Sequence, residues 1–458
     1  MRHNRFRFKD RGALEEKISQ LRLDIPLSDD ISILFRPIIV AGRTLPNRFL
    51  IHPMEGADAE PDGGPSGLTF RRYRRFAAGG AAVIWFEAAA VVEAGRGNPR
   101  QLLINARTGD GFKRLVEATR RAAAAKLGPG HSPLLVIQLT HAGRFARPRG
   151  RPQPVISQRS PVLDALVGLP ADFPLVRDDG LASIRDAFVA AAKIARSAGF
   201  DAVDIKACHG YLVSELLAAF TRPESRYGGP FENRVRFLLD TAAGIRAEAP
   251  GIEITSRLNV FDGLPYPHGF GVSRDDPETP DLSEPIELIG ILGRGGLPLL
   301  SVSCGIPAYR PHIGRPYDKP MTGQDPPGEH PLAGVARLLR LTGEVQKRRP
   351  ALPVVGAGYS WLRQFFPHAA AAAVETGKAS LVGLGRGAIA SPDWVSDLAE
   401  KGLLNPRRVC IACSKCSEML RWGSRVGCAV RDAEVYRDEY KKTRIAARRL
   451  RRPSRRSR

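Results

Sequence analysis

Residues 199–212 read Gly-Phe-Asp-Ala-Val-Asp-Ile-Lys-Ala-Cys-His-Gly-Tyr-Leu. A short run of small and β-branched residues leads at once into a lysine, a histidine and a tyrosine. An apolar strand with ionisable groups at its carboxyl end is the mark of a parallel sheet whose chemistry gathers at one edge. The pattern recurs on both sides. Strands are predicted at Arg48–His52, Ala82–Glu87, Leu134–His141, Ala202–His209, Ile252–Val260, Leu299–Gly305, Pro353–Gly358 and Ala379–Gly385. Helices are predicted between them, over 68–78, 111–126, 182–198, 231–248, 283–294, 331–348, 360–376 and 391–402. Eight such units predict an α/β fold of the closed (β/α)8 TIM-barrel kind, with a doubly wound open sheet as the rival. Eight repeats, and polar residues at several strand ends, favour the barrel.

The chain has 458 residues, enough for one large barrel with additions. Hydrophobic residues are 43% of the sequence, which excludes wholesale disorder. No uncharged apolar stretch of about 18 residues offers a membrane span. The opening MRHNRFRFKDR has no apolar segment behind it and does not read as a secretory signal, so a cytoplasmic location is expected. Four parts are expected: a charged extension over 1–34 with one amphipathic helix at Leu14–Leu23, a barrel over 35–402, a cysteine-bearing segment over 403–440, and a basic tail over 441–458. Of the formal charge of +22, the last 18 residues supply ten lysines and arginines and no acid. Such a run could touch nucleic acid or an anionic surface, but reads more readily as a solvated, disordered end.

Six cysteines are too few for a disulfide scaffold of this size, and four fall between 410 and 428. Cys410, Cys413 and Cys416 lie within seven residues and Cys428 stands apart. Structural zinc prefers two separated Cys-x2–4-Cys pairs, and here the second pair is missing. A [4Fe-4S] cluster with three close corners and a distant fourth is the preferred reading.

The strand ends supply further motifs: Asn47-Arg48-Phe49 before His52-Pro53-Met54, Gln138-Leu-Thr-His141-Ala-Gly143-Arg144, Arg226-Tyr227-Gly228-Gly229, Glu232-Asn233-Arg234-Val-Arg236-Phe237, Val354-Val-Gly356-Ala-Gly358, and Gly383-Leu-Gly385-Arg386. With Lys206-x-x-His209-x-Tyr211, and taken in order over about residues 35–400, these resemble the old yellow enzyme family of FMN oxidoreductases. The likeness is closer to the branch that carries an iron–sulfur cluster, which includes 2,4-dienoyl-CoA reductase and trimethylamine dehydrogenase. The spacing of Cys410, Cys413 and Cys416 resembles the dehydrogenase side of that branch.

The resemblance implies a set of roles. Gly356, Gly358, Gly385 and Arg386 follow the last two strands, where barrels bind phosphate, and would hold the FMN phosphate. Arg257, late in strand five, would face the flavin ring where reduction leaves negative charge. Gln138 would bond the pyrimidine edge. Pro53, Met54 and Glu55 would approach the ring, as would Glu87, unless Glu87 is an acid in a salt bridge. On the substrate side, His209 and Lys206 would grip a carbonyl oxygen while Tyr211 protonates the α-carbon. Lys206 departs from the family pattern of histidine and is equally readable as a structural ion-pair partner. Cys208 reads as packed core; Cys304, His52 and His141 are weaker candidates.

The leading expectation is thus an FMN-dependent NADH:flavin oxidoreductase that reduces an activated C=C bond, an enone or enoyl thioester. The runner-up is an amine or alcohol dehydrogenase that passes electrons from FMN through a [4Fe-4S] cluster to a separate electron-transfer protein. NAD(P)H is the other candidate electron donor. A non-catalytic nucleic-acid-associated module is a third reading. The loops at 221–232 and 306–328 are expected to set specificity.

Overall fold

The computed structural model describes residues 4–450. Its centre is a closed barrel of eight parallel strands: β3 (Phe49–Ile51), β4 (Val83–Ala90), β5 (Leu134–Thr140), β6 (Ala202–Ile205), β7 (Glu253–Asn259), β8 (Leu300–Ser303), β9 (Val354–Gly356) and β10 (Leu381–Leu384). They pair in chain order, and β10 closes on β3 with Val382 opposite Phe49. All eight expected strands are present, in the expected order, with helices between them.

Side-chain alternation explains the closure. Leu50, Val83, Trp85, Leu134, Val136, Ala202, Val355 and Leu381 pack into one interior layer. Their neighbours Phe49, Ile51, Ile84, Phe86, Leu135, Ile137 and Val203 face outward into the helical ring. Below that layer lies a small antiparallel hairpin that the sequence reading missed, β1 (Ile38–Val40) with β2 (Arg43–Leu45). Val40 and Leu45 join the interior cluster and plug the amino-terminal end. All the chemistry is therefore left to the other end.

The described part of the extension, residues 4–34, is part of the same body. Helix Arg11–Gln20 buries Leu14 and Ile18, and Phe6 meets Trp361 edge-on and stacks against Phe365. The last described helix, Ala433–Leu450, carries straight through residue 441. The expectation of a disordered tail from 441 thus fails for 441–450, and 451–458 lie outside the described residues. Among the described residues no helix is long and apolar enough to cross a membrane.

Candidate functional site

Strand β6 ends at Ile205, but Lys206 still donates its N–H to the Leu139 carbonyl and Ala207 still bridges to Leu258, so only Cys208 to Tyr211 turn away from the barrel ladder. His209 and Gly210 then adopt left-handed conformations in succession, with φ of 69° and 71°. A histidine held there is uncommon and costs backbone energy, a feature that concentrates at functional sites. The turn folds Lys206 under Tyr211, with Nζ 3.7 Å from the ring centre. Both reach Glu55: the Tyr211 hydroxyl donates to Oε1 at 3.4 Å and Lys206 Nζ lies 3.5 Å from the same oxygen. Glu55 thus sits with Tyr211 and Lys206 at the mouth. His209 turns the other way, with Nε2 3.2 Å from Ser303 Oγ at the end of β8.

Burial, then the nearby Arg257 charge, pushes His209 and His52 well below the usual histidine range. Burial alone takes His141 down to about 4, and its Nδ1 accepts the Gly143 N–H at 3.0 Å. These imidazoles are neutral at pH 7. Tyr211 is pushed well above the usual phenol range by burial and by Glu55, so it holds its proton as an acid must.

Arg257, on β7, is half-buried, and its Nε is buried with no hydrogen-bond partner. Among the described residues no carboxylate pairs with its guanidinium. A cation left unanswered at a barrel mouth is a place prepared for negative charge. Gln138 is fixed beside it by a residue the sequence reading missed. Asp204, on β6, accepts from Gln138 Nε2 at 2.6 Å, Trp85 Nε1 at 2.9 Å and the Arg257 N–H at 2.8 Å. Burial still pushes Asp204 up to about 6. The available signal was one carboxylate in an otherwise apolar strand, which requires partners.

Glu87 does not face the mouth. Its oxygens are taken by Arg72 Nη1 at 2.8 Å, the Tyr73 hydroxyl at 3.3 Å and the Gly56 N–H at 2.6 Å. Arg72 also pairs with Asp58 and donates to the Val426 carbonyl at 3.2 Å. The salt-bridge alternative is the one the structure takes, and this network ties β3 and β4 to the cysteine segment. Cys208 is buried, as expected of core, with its thiol pushed up to about 11 by burial. Cys304 is walled in, its thiol donating to the Ile313 carbonyl at 3.4 Å.

The turns after β9 and β10 lie side by side, joined by the Gly387 N–H donating to Ser360 Oγ at 3.2 Å. Gly358 has φ of 96°, where an L side chain is strained. Gly356 and Gly385 are closely packed, since a Cβ would come 2.7 Å from the Tyr359 hydroxyl oxygen or 2.8 Å from Met54 Sδ. Met54, with the buried Pro53 before it, therefore abuts the β10 turn. Arg386 is buried at the start of helix Arg386–Ala390, with Nη1 lacking a partner. These turns, the free Nη1 and the unanswered Arg257 fit a phosphate at one side and an electron-rich ring at the mouth.

Arg386 also lines a recess formed by Cys410, Cys413, Cys416 and Cys428. The Ala412 N–H donates to Cys410 Sγ and the Arg431 N–H to Cys428 Sγ, both at 3.3 Å. Ala412 and Ser414 take left-handed conformations to wrap the loop around the recess. Among the described residues no three His, Cys, Asp or Glu side chains converge on a single metal ion. The loop 306–328, expected to set specificity, spends its second half bracing this segment. Asp318 N–H donates to the Ala412 carbonyl at 2.9 Å, Ser414 Oγ to the Lys319 carbonyl at 2.6 Å and Thr322 N–H to Glu418 at 2.6 Å.

Comparison with known proteins gives the family to which a barrel with this mouth belongs. Residues 33–266 match the NADH:flavin oxidoreductase / NADH oxidase family. The chain is 28% identical to a metal reductase of Desulforamulus reducens over 390 residues, which are 84% of this chain and 51% of that protein. It is 32% identical to an NADPH dehydrogenase of Listeria monocytogenes, over 54% of this chain and 68% of the relative. In fold it is similar to a 2-naphthoyl-CoA reductase in complex with 2-naphthoyl-CoA, with a TM-score of 0.69 at 20% identity, over 88% of this chain and 57% of that one. The chain spans about half the length of the metal reductase it matches. It belongs to the NADH:flavin oxidoreductase / NADH oxidase family.

Proposed function

We propose that the protein reduces an activated C=C bond, in an enone or enoyl thioester, with Tyr211 as the proton donor. The observation that carries this is the grouping at one mouth of an unanswered cation, Arg257, and a phenol, Tyr211, that burial keeps protonated. Arg257 and Gln138 would hold the ring of FMN, and Gly356, Gly358, Gly385 and Arg386 its phosphate. Bound FMN would supply the hydride. Neutral His209, fixed by Ser303, offers a hydrogen bond to a substrate carbonyl oxygen. Lys206 adds positive charge close by, favouring an enolate and the phenolate that Tyr211 leaves behind. Glu55 then has two tasks: it fixes the Tyr211 hydroxyl and holds Lys206 beside it. Beside Tyr211, whose ring lies 6.3 Å from that of Phe145, is an apolar cluster of Leu163, Leu264 and Ile306 with Phe145 and Tyr309 packed on it, a neighbourhood that would suit a hydrophobic acyl chain or ring.

Cys410, Cys413, Cys416 and Cys428 would hold a [4Fe-4S] cluster, which supplies a one-electron relay. The N–H donors to two of the sulfurs support this. Electrons would come from NAD(P)H or from a separate electron-transfer protein. All six cysteines are free, in keeping with a reducing, cytoplasmic setting. The second reading, an amine or alcohol dehydrogenase working outward through the cluster, is favoured by the Glu55 carboxylate at the mouth, which could face a substrate ammonium. The Glu55 pairing with Lys206 argues for the reductase. Anaerobic turnover separates the two. A Tyr211→Phe variant should reduce a cyclic enone on the order of 10²-fold more slowly than its parent. Equal rates would remove Tyr211 from the reaction.

A further inference from the structure

Arg315 and Arg386 form a pair of cations that no carboxylate answers among the described residues. Arg315 lies in the loop after β8, half-buried, and its Nη1 donates to Ser417 Oγ, one residue beyond Cys416. Arg386 donates through Nη2 to the carbonyl of Pro316, the residue next to Arg315, at 2.7 Å, and its Nη1 is buried without a partner. Arg315 lies 5.6 Å from the Tyr317 ring centre, and Arg386, Cys416 and Cys410 are near enough to act on its charge. Asp318, three residues on, is already held by Arg363 and by the Phe6 N–H at 3.1 Å. Two neighbouring guanidiniums removed from water repel each other and lose hydration. Such a pair persists where anions offset both costs: Arg386, which would also meet the FMN phosphate, lines the recess of the four cysteines, and Arg315 is bonded to Ser417, next to Cys416 on its wall.

We infer that Arg315, braced by Ser417 and paired with Arg386, is the built-in counter-charge of the group the cysteines hold, and that it sets how readily that group accepts an electron. The inference rests on the cluster reading above. One-electron reduction adds one negative charge to the buried group; no bond forms or breaks and no proton is required. A fixed cation beside it favours the reduced form. Nothing in the local sequence marks Arg315, because its partners lie about a hundred residues away.

The test is an anaerobic redox titration of the iron-reconstituted full chain with dithionite, followed by visible bleaching and by the electron paramagnetic resonance of the reduced form, after iron and sulfide analysis. Arg315→Gln keeps a donor for Ser417 and removes the charge, and Arg315→Lys restores it. At the potential where the parent is half reduced, the reduced-to-oxidised ratio of Arg315→Gln should fall at least tenfold, which is about 59 mV for a one-electron couple. Arg315→Lys should recover most of it. Ser417→Ala, which only loosens Arg315, should shift the ratio the same way by less, and serves if Arg315→Gln does not hold iron. Arg425→Gln, an exposed arginine of the same segment, should leave the ratio unchanged. Normal iron with an unaltered ratio in both Arg315→Gln and Ser417→Ala overturns the inference alone. An equal fall in Arg425→Gln overturns it too, since general charge would then be responsible. A parent chain that takes up no iron or sulfide overturns the cluster reading and the inference together.

Discussion

Arg257→Gln separates a residue that serves a ligand from one that serves the fold. In most buried arginines the two are entangled: Arg72, Arg144 and Arg234 each pair with carboxylates, and removing them would strand a charge. Arg257 has no such partner among the described residues, and its Nε is already unsatisfied. The chain without cofactor therefore loses no ion pair in the variant. Its stability should move by less than about 1 kcal/mol. His52 and His209, both held down in part by the Arg257 charge, should titrate at higher pH. The flavin complex should suffer instead. A hydrogen bond to a charged group is worth about 1.5–3 kcal/mol, and each 1.4 kcal/mol is tenfold, so FMN affinity should fall roughly 10- to 150-fold. Fluorescence quenching of FMN, titrated with cofactor-free protein, measures the affinity, and thermal melting of the same protein measures the fold. Unchanged affinity together with a melting point lowered by several degrees would make Arg257 a structural residue and refute the argument.

Three further outcomes follow from the same geometry. Arg72→Met leaves the Asp58 and Glu87 carboxylates buried together and severs the bond to Val426, so denaturant unfolding should show a loss of about 3–5 kcal/mol; a loss below about 1 would mean water reaches the pair. His141 is held neutral, so its contribution is complete above pH 6.5 and is lost as pH falls, because the unfolded chain takes up a proton that the folded one refuses. Between pH 6.5 and 5 this one group removes about 2 kcal/mol, and His141→Asn, which keeps an acceptor for Gly143, should lose that much less over the same range in denaturant melts. Cys413→Ser should purify without its iron while still binding FMN, as read by metal analysis and absorbance; full iron retention would remove Cys413 from the ligand set.

The barrel was legible because its strands are apolar, β-branched runs with ionisable residues gathered at one end, a pattern that survives without knowledge of partners. The hairpin Ile38–Leu45 escaped because three-residue strands carry too little periodicity to register. The helix Ala433–Leu450 escaped for a different reason: its charge composition resembles a solvated tail, yet it buries Tyr436 against Ala57, Met419 and Val426. In the site, residue types were readable and pairings were not. Glu87 and Glu55 look alike as acids near strand ends. Only the fold shows one sealed by Arg72 and the other open to Tyr211 and Lys206. The end of β6 settles a question that strand alternation left open, since Lys206 is still held in the ladder while His209, at a left-handed φ, has left it and need not obey the alternation. Asp204 and Arg315 act across the barrel and across loops, at separations where sequence spacing carries no information.

The account is tested most directly by the flavin content of the purified full chain. Denaturing release and chromatography, after incubation with FMN and gel filtration, should return one FMN per chain, with a visible band near about 450 nm typical of the cofactor. Folded protein that emerges colourless and binds no FMN would contradict it.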